Sequence, residues 1–498
     1  MRVSRIVKLL EKDVLEIANM NGRDPEISGI THNSRNFTPG GIFICIKGTN
    51  FNSHLLAHDL QEKGAKAFLA EEPLELDEIK VPVIYVKNSR RAEAILLMEL
   101  QGHPYKNLVT IGVTGTNGKT TITTMLKHIL DSFEKKTSLV GTVRNHVAGR
   151  IINNPKNTTP GPSTLINYLQ ESVKEDYEYF VMEVSSHALA MYRVESIRFD
   201  IAVLTNVTRD HLDYHCSFEE YYNTKLKLFE LLKPNGKAIV NGDRINVCDV
   251  RVSKDKLITY GFGDESHYKI KDLEMLRIGM FFTIETPYGS SQKIYTRLVG
   301  QHNAYNVAAC VAILDSLNYD VEHVADAISN FTGVPGRFEF VEEATKYGFE
   351  VVIDFAHTPD ALEKLLLTAG KLTEGRIITV FGAGGTADKG KRPLMGQVAS
   401  KFSDVIVLTS DDPKREDPNE ILTDIEAGVD KFKPYLIIPE RREAISVALT
   451  LANRQDMVII AGRGHEAYQL IGDNALPFND KNVVKEILET KFRRNMKK

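Results

Sequence analysis

The chain has 498 residues, 42% of them apolar and 26% charged, with a formal net charge of −4. That length exceeds one hydrophobic core and calls for roughly two to four domains, and the composition excludes a disordered or fibrous protein. The charge supplies no basic field for nucleic acid, the four cysteines (Cys45, Cys216, Cys248, Cys310) lack any zinc or disulfide spacing, and no apolar stretch reaches bilayer length. The start, MRVSRIVKLLEKD, has no sustained apolar core, and the KFRRNMKK end reads as a solvated tail. A cytoplasmic protein without nucleic acid or membrane partners is expected.

In chain order, the first block, to about residue 90, alternates short apolar runs (Ile42 to Ile46, Ala67 to Leu69, Val81 to Val86) with helical stretches. It carries THNSRNFTPGGIF and KGTNFNSH but no catalytic-looking cluster. The second block opens on an apolar strand, Leu108 to Val113, that runs into GVTGTNGKTT at 112–121. Ile122, Met125, Leu126, Ile129, Leu130 and Phe133 then recur at the spacing of one helix face. A Gly-rich turn in that position offers phosphate oxygens free backbone N–H groups and the positive end of a helix. Lys119 can neutralise terminal phosphates, and the Thr120 hydroxyl can ligate Mg²⁺. One departure from the general phosphate-loop pattern stands out: its first glycine position is Val113, with Gly112 and Gly115 on either side.

Two further apolar runs of this block end in polar chemistry, YEYFVMEVSSH (177–187) and DIAVLTNVTRDHLDYH (200–215), and FTGVPGRFE (331–339) interrupts the pattern as a linker does. The third block alternates strands and helices. VVIDFAH, RIITVFGAGG, DVIVLTSDDP and DMVIIAGRGHE each pass from apolar residues into a polar turn, the pattern of a parallel sheet whose carboxyl ends converge on one cleft. The expected fold is α/β in three domains. They are an N-terminal α/β domain (1–92), a central P-loop ATPase-like domain with a mainly parallel sheet (93–333), and a C-terminal Rossmann-like α/β domain (334–498).

Glu183 ends an apolar strand, where a carboxylate can complete the oxygen shell of Mg²⁺ begun by Thr120. Ser185, Ser186 and His187 invite a Ser-His nucleophile, but no spacing shows a triad and ATP already supplies the activation. DHLDYH (210–215) reads equally as a metal cluster or a polar helix start, and Lys225, alone on an amphipathic helix, reads as solvated.

GVTGTNGKTT, NTTPGP (157–162), MEVSSHAL (182–189), NVTRDHLDYH (206–215), YYNTKLKLF (221–229), GQHNAYN (300–306), GRFE (336–339) and DFAHTPDAL (354–362) follow one another as they do in the Mur ligase family. FGAGGTADKGKRP, LTSDDPKREDP and AGRGHEAYQ complete the series. From about Asn33 to Asp480 the chain resembles the muramyl-tripeptide, MurE-type branch of that family. The resemblance implies an ADP-forming amide ligase of peptidoglycan precursor synthesis. It would add a diamino acid to UDP-N-acetylmuramoyl-L-alanyl-D-glutamate through an acyl phosphate, as a monomer whose partners are small molecules.

By motif, the resemblance gives ATP to Gly115, Thr116, Asn117, Gly118, Lys119, Thr120 and Thr121, with Asn303, Arg337 and Asp354 as further nucleotide contacts. Thr120 and Glu183 would hold a first Mg²⁺ and His211 a second. Lys225 matches a lysine carbamylated by CO₂, whose anion orients the metal. Lys119, Glu183, His211 and Lys225 form the implied catalytic set. Asn157, Thr158, Thr159, Ser185 and Arg193 would grip the muramyl dipeptide, and Ser34, Thr49 and Asn50 the uridine nucleotide. Asn33 stands where an Asp is typical, a change that a local turn former tolerates.

The turns expected to select the added amino acid depart further. Ligases for meso-diaminopimelate typically carry DNPR and a GGDRD turn, whereas this chain has Asp411-Asp412-Pro413-Lys414 and Gly385-Thr386-Ala387-Asp388. Lysine does not reproduce the bidentate geometry of arginine on a carboxylate, and an extra Asp412 suits a terminal ammonium. L-lysine is therefore the expected substrate, with Gly462 and Glu466 as further contacts and diaminopimelate as the alternative. Two other ligases of this architecture, folylpolyglutamate synthase and the D-alanyl-D-alanine-adding enzyme, are set aside on MEVSSHAL and GRGHE. A nucleotide-switch binding protein is set aside on the catalytic set downstream of the loop.

Overall fold

The computed structural model describes residues 1–48, 51–153, 155–386 and 388–492. Among them, strands build three main sheets in succession along the chain, of five, eleven and six strands, and a two-stranded ribbon. The first sheet runs Val14–Ala18, Val83–Val86, Ala67–Ala70, Ile42–Ile44, Ile30–Thr31 and is parallel except at its first pair. Ile42, Ile44, Leu69 and Ile84 are buried on one face, and Phe43 and Phe68 on the other. Both faces are thus covered, as parallel sheets require. The helix Ser89–Leu100, capped by the Asn88 side chain on Arg91 N at 2.8 Å, runs across residues 92 and 93. Ala92 and Leu96 pack in the first core and Met98 in the next, so one rigid helix ties the two units together.

In the eleven-stranded sheet Val109–Thr114 lies between Tyr179–Glu183 and Phe199–Leu204, all parallel. The register pairs Glu183 with Val113 and Leu204 with Thr114, which sets both polar strand ends beside the loop. The helix Lys119–Ser132 buries Ile122, Met125, Leu126, Ile129 and Leu130 completely, each worth roughly 1.5–3 kcal/mol of apolar burial. Phe133 is its C-cap. Val113 is a core residue of the strand. A Cβ on Gly112 would meet the Phe199 ring, so that glycine answers to packing between strands.

The third sheet orders Glu339–Phe340, Glu350–Asp354, Met457–Ala461, Ile377–Phe381, Val405–Leu408 and Tyr435–Ile437, parallel beyond its first pair. The four apolar runs read from the sequence are its central strands, and their carboxyl ends share one edge. The ribbon Tyr468–Ile471 with Asn474–Pro477 docks on that edge through the bridge of Lys414 to Ile471. Among the described residues, no helix is long and apolar enough to cross a membrane.

Candidate active site

The loop after Val109–Thr114 is wrapped on its own lysine. Lys119 Nζ donates to the carbonyls of Gly115 (2.8 Å) and Thr116 (3.0 Å). Burial holds its ammonium below the usual lysine range, against the pull of Glu183 and Asp210. Gly115 has φ 145°, and a Cβ there would collide with the Thr205 hydroxyl, so the loop can pass only as glycine. Asn206 clamps the far side, accepting from Asn117 N at 3.1 Å.

Glu183 is 1% exposed, and its carboxylate accepts from Thr120 Oγ1 (3.0 Å), Thr142 N (2.8 Å) and Thr142 Oγ1 (2.9 Å). Magnesium takes hard oxygen donors and keeps several waters. The Thr120 hydroxyl and the Glu183 carboxylate, side by side next to the phosphate cradle, fit one such ion. Bound there it would neutralise phosphate charge. His211 has a weaker fit: an imidazole is a poor magnesium ligand, and among the described residues no group of three or more His, Cys, Asp or Glu is arranged to hold a metal.

The tract 210–215 is not a helix start. His211 takes a left-handed φ of 53°, its N–H bonds to Asp210 Oδ1 at 2.9 Å, and its ring packs on His187 with centroids 4.9 Å apart. His187 also packs on Tyr214, so its ring belongs to an aromatic cluster. Burial lowers the His211 pKa and favours the neutral ring.

Lys225 corrects the sequence reading of a solvated helical lysine. It is 1% exposed on the helix Phe218–Leu226; its Nζ donates to Gly115 O at 3.0 Å and lies 4.5 Å from the centroid of the Tyr221 ring. Burial, helped by the Lys119 charge, lowers its pKa well below the ordinary value. Tyr221 in turn bonds Thr116 Oγ1 at 3.0 Å. The phosphate loop and this helix are one packed unit, which a helical-wheel reading of residues 221–229 could not reveal.

A cavity of about 650 Å³ lies between the second and third sheets, a size suited to a small-molecule ligand. Thr116 through Thr121, Glu183, Ser185, Asp210, His211, Asn303, Arg337 and Asp354 all line it. Asn303 donates to Val299 O at 2.8 Å and accepts from Asn306 at 2.9 Å. Arg337, stacked 4.5 Å over Phe355, reaches Thr120 Oγ1 at 3.5 Å. Asp354 accepts from Phe338 N and Ala356 N, both at 2.7 Å. Asp360 crosses the same gap to Asn117 at 2.9 Å, and Arg209 to Asp388 at 2.9 Å.

The muramyl-dipeptide positions divide. Thr158 faces the cavity with its hydroxyl 3.1 Å from Thr142, and Asn157 is exposed. Thr159 is buried and spends its hydroxyl on Glu183 O (2.8 Å) and Ser185 N (3.0 Å). Arg193 donates to Thr159 O at 2.8 Å, and Ser185 caps the helix Ser186–Ala190. These three hold the loop in place. Ser34 opens an exposed turn capped by Asn33, whose side chain accepts from Arg35 N at 3.0 Å. Asn33 therefore does the work expected of an Asp. Thr49, Asn50 and Ala387 lie outside the described residues, as does the tail beyond 492.

At the edge of the third sheet, Asp412 is not the free anion that a lysine pocket required. Arg463, fully buried, pairs its Nη1 with Asp412 and lies 3.7 Å from Asp411 and 3.6 Å from Glu466. Asp412 also accepts from Leu470 N at 3.0 Å. Gly462 packs against the Asp411 carboxylate. Burial raises the Asp411 pKa, and burial with Asp412 nearby pushes the Glu466 carboxyl up to about 7. Lys414, half-buried with φ 52°, has no ion-pair partner among the described residues, whereas Arg415 is paired with Asp473 at 2.7 Å.

Three domain families match in order: the Mur ligase family catalytic domain at residues 26–99, the Mur ligase middle domain at 113–314, and the Mur ligase glutamate ligase domain at 336–464. A protein of Geobacillus thermodenitrificans named UDP-N-acetylmuramoyl-L-alanyl-D-glutamate–2,6-diaminopimelate ligase is 41% identical, covering 93% of this chain and 95% of that one. The chain belongs to the Mur ligase family. A Mur ligase of Caldanaerobacter subterraneus with the same name is also 41% identical, over 97% of this chain and 99% of its own. A solved structure under that name superposes with a TM-score of 0.65 at 30% identity, covering 94% and 95% of the two chains. MurF of Thermotoga maritima in complex with ADP shares the fold at a TM-score of 0.61 and 19% identity, over 94% and 98%.

Within this Mur ligase, sequence reasoning missed Thr142, which buttresses Glu183, Asp360, which bridges the cleft, and Arg463. The last had a visible signal: an arginine inside GRGHE, at the end of an apolar strand, must find anions once it is buried.

Proposed function

We propose that this Mur ligase couples ATP hydrolysis to the addition of 2,6-diaminopimelate to UDP-N-acetylmuramoyl-L-alanyl-D-glutamate, in the three-part division 1–92, 93–333 and 334–498. The γ-phosphate of ATP passes to the substrate carboxylate, leaving ADP and an acyl phosphate. The amine of the third substrate attacks that carbonyl, the amide forms, and phosphate departs. The loop N–H groups and Lys119 hold and screen the phosphates, Thr120 and Glu183 would seat Mg²⁺, and Arg337 reaches the same point from the third sheet. Lys225, buried with a depressed pKa, is a fit candidate for carbamylation by CO₂. Carbamylation predicts that turnover falls in CO₂-depleted buffer and returns with bicarbonate, while Lys225→Ala stays inactive in both.

The observation that carries diaminopimelate over lysine is the Arg463–Asp412 pair. It engages Asp412, one ground of the lysine reading beside the two missing arginines, while Lys414, without an ion-pair partner among the described residues, is a cation available to a second carboxylate. The relatives named for diaminopimelate support the same choice. Phosphate release from ATP, measured with the muramyl dipeptide and either lysine or meso-diaminopimelate, decides between them. Faster turnover with diaminopimelate is expected; faster turnover with lysine overturns the substrate assignment.

A further inference from the structure

On the diaminopimelate reading, the turn 411–414 sets two adjacent carboxylates in the pocket of a dicarboxylic substrate, an arrangement that repels its ligand unless something offsets the charge. Asp411, Asp412 and Glu466 all lie within 4 Å of one guanidinium, that of Arg463. Arg441, also fully buried, takes Asp480 bidentately, both bonds 2.8 Å, and donates to Ala461 O at 3.0 Å and Ser410 O at 3.2 Å. Its charge also acts on Asp411, but its ion-pair contact is with Asp480, and Arg463 is the guanidinium paired with Asp412. Arg463 also ties down the ribbon, since Nη2 donates to Tyr468 O while Asp412 accepts from Leu470 N. That ribbon holds Lys414 through two backbone bonds, Lys414 N to Leu470 O at 3.0 Å and Gly472 N to Lys414 O at 2.6 Å.

We infer that Arg463 is a specificity-determining positioning residue: by engaging Asp412 and the ribbon it sets the charge of the diamino-acid pocket and fixes Lys414 for the distal carboxylate. The inference rests on the diaminopimelate reading above. Arg463 is not among the residues that line the cavity at the nucleotide loop. Its effect is expected in the affinity for the third substrate, leaving ATP and the chemical step alone.

Kinetics of the full chain with Arg463→Met, and with Asp412→Asn added to it, test this. The single variant strips the cation and leaves three carboxylates; KM for diaminopimelate is expected to rise about tenfold or more, with KM for ATP and kcat within about twofold of wild type. Asp412→Asn in the same chain removes one charge of the opposite sign and is expected to recover most of the loss. Arg463→Lys, which keeps the charge without the fork, gives a smaller rise in the same direction and serves if the Met variant does not fold. A KM for ATP that rises in step with that for diaminopimelate, an unchanged KM for diaminopimelate, or no recovery in the double variant overturns the inference. Wild-type enzyme assayed with both amino acids separates the two claims. If it prefers lysine, the substrate reading fails, and the charge role survives only if Arg463→Met lowers KM for lysine.

Discussion

The nucleotide loop and the diamino-acid turn are both polar segments at the carboxyl ends of parallel strands, yet they take their chemistry from different distances along the chain. In the loop, strand, glycines, Lys119, Thr120 and helix lie within a few tens of residues, and each does locally what its type requires. The turn 411–414 has its meaning set by Arg463, some fifty residues away, and by the ribbon that follows it. A motif read by itself is therefore trustworthy for backbone geometry. The charge of a side chain needs its partner.

The largest effect expected from breaking this contrast is at the loop. Lys119→Met should lower kcat by about 10²–10³, the cost of losing a preorganised charge on the transferring phosphate, while Arg463→Met spares kcat. Steady-state phosphate release with all three substrates varied shows both. A reduced kcat in the Arg463 variant would erase the distinction between the two regions.

Next in size is Gly112→Ala. Its Cβ would press on the Phe199 ring, an overpacking that costs about 1–3 kcal/mol, without touching the ATP site. Urea unfolding should show the loss and KM for ATP should not move. A raised KM would return Gly112 to the phosphate cradle.

Glu466 sharpens the other side. Its pKa in the fold, about 7, lies above the unfolded carboxylate value. The native state therefore keeps a proton that the unfolded chain releases, and stability declines as pH rises from about 4.3 to about 7, then levels. Glu466→Gln removes that group from the balance. Urea midpoints at about pH 5 and about pH 7.5 should differ less in the variant than in wild type. Equal differences in both proteins would mean that Glu466 does not titrate there. The smallest effect is expected at Asn33→Asp: both side chains cap the turn on Arg35 N, so stability should change by less than about 0.5 kcal/mol.

The sequence by itself determined the three α/β units, the strands that carry Glu183 and Asp354, and the strand, loop and helix around Lys119. These follow from hydrophobic period and turn chemistry, which act between near neighbours. It also read the four C-terminal strands as parallel, because runs buried on both faces admit little else. Periodicity alone left Lys225 solvated, although the family resemblance placed it in the catalytic set, and the turn alone left Asp412 unpaired, both for one shared reason. Helical periodicity reports a face but not what packs against it, and a carboxylate's charge depends on whether a guanidinium is buried beside it. Only the tertiary structure decided that Lys225 touches Gly115 O and that Arg463 cancels Asp412, since burial and Coulomb pairing join residues that the chain keeps far apart.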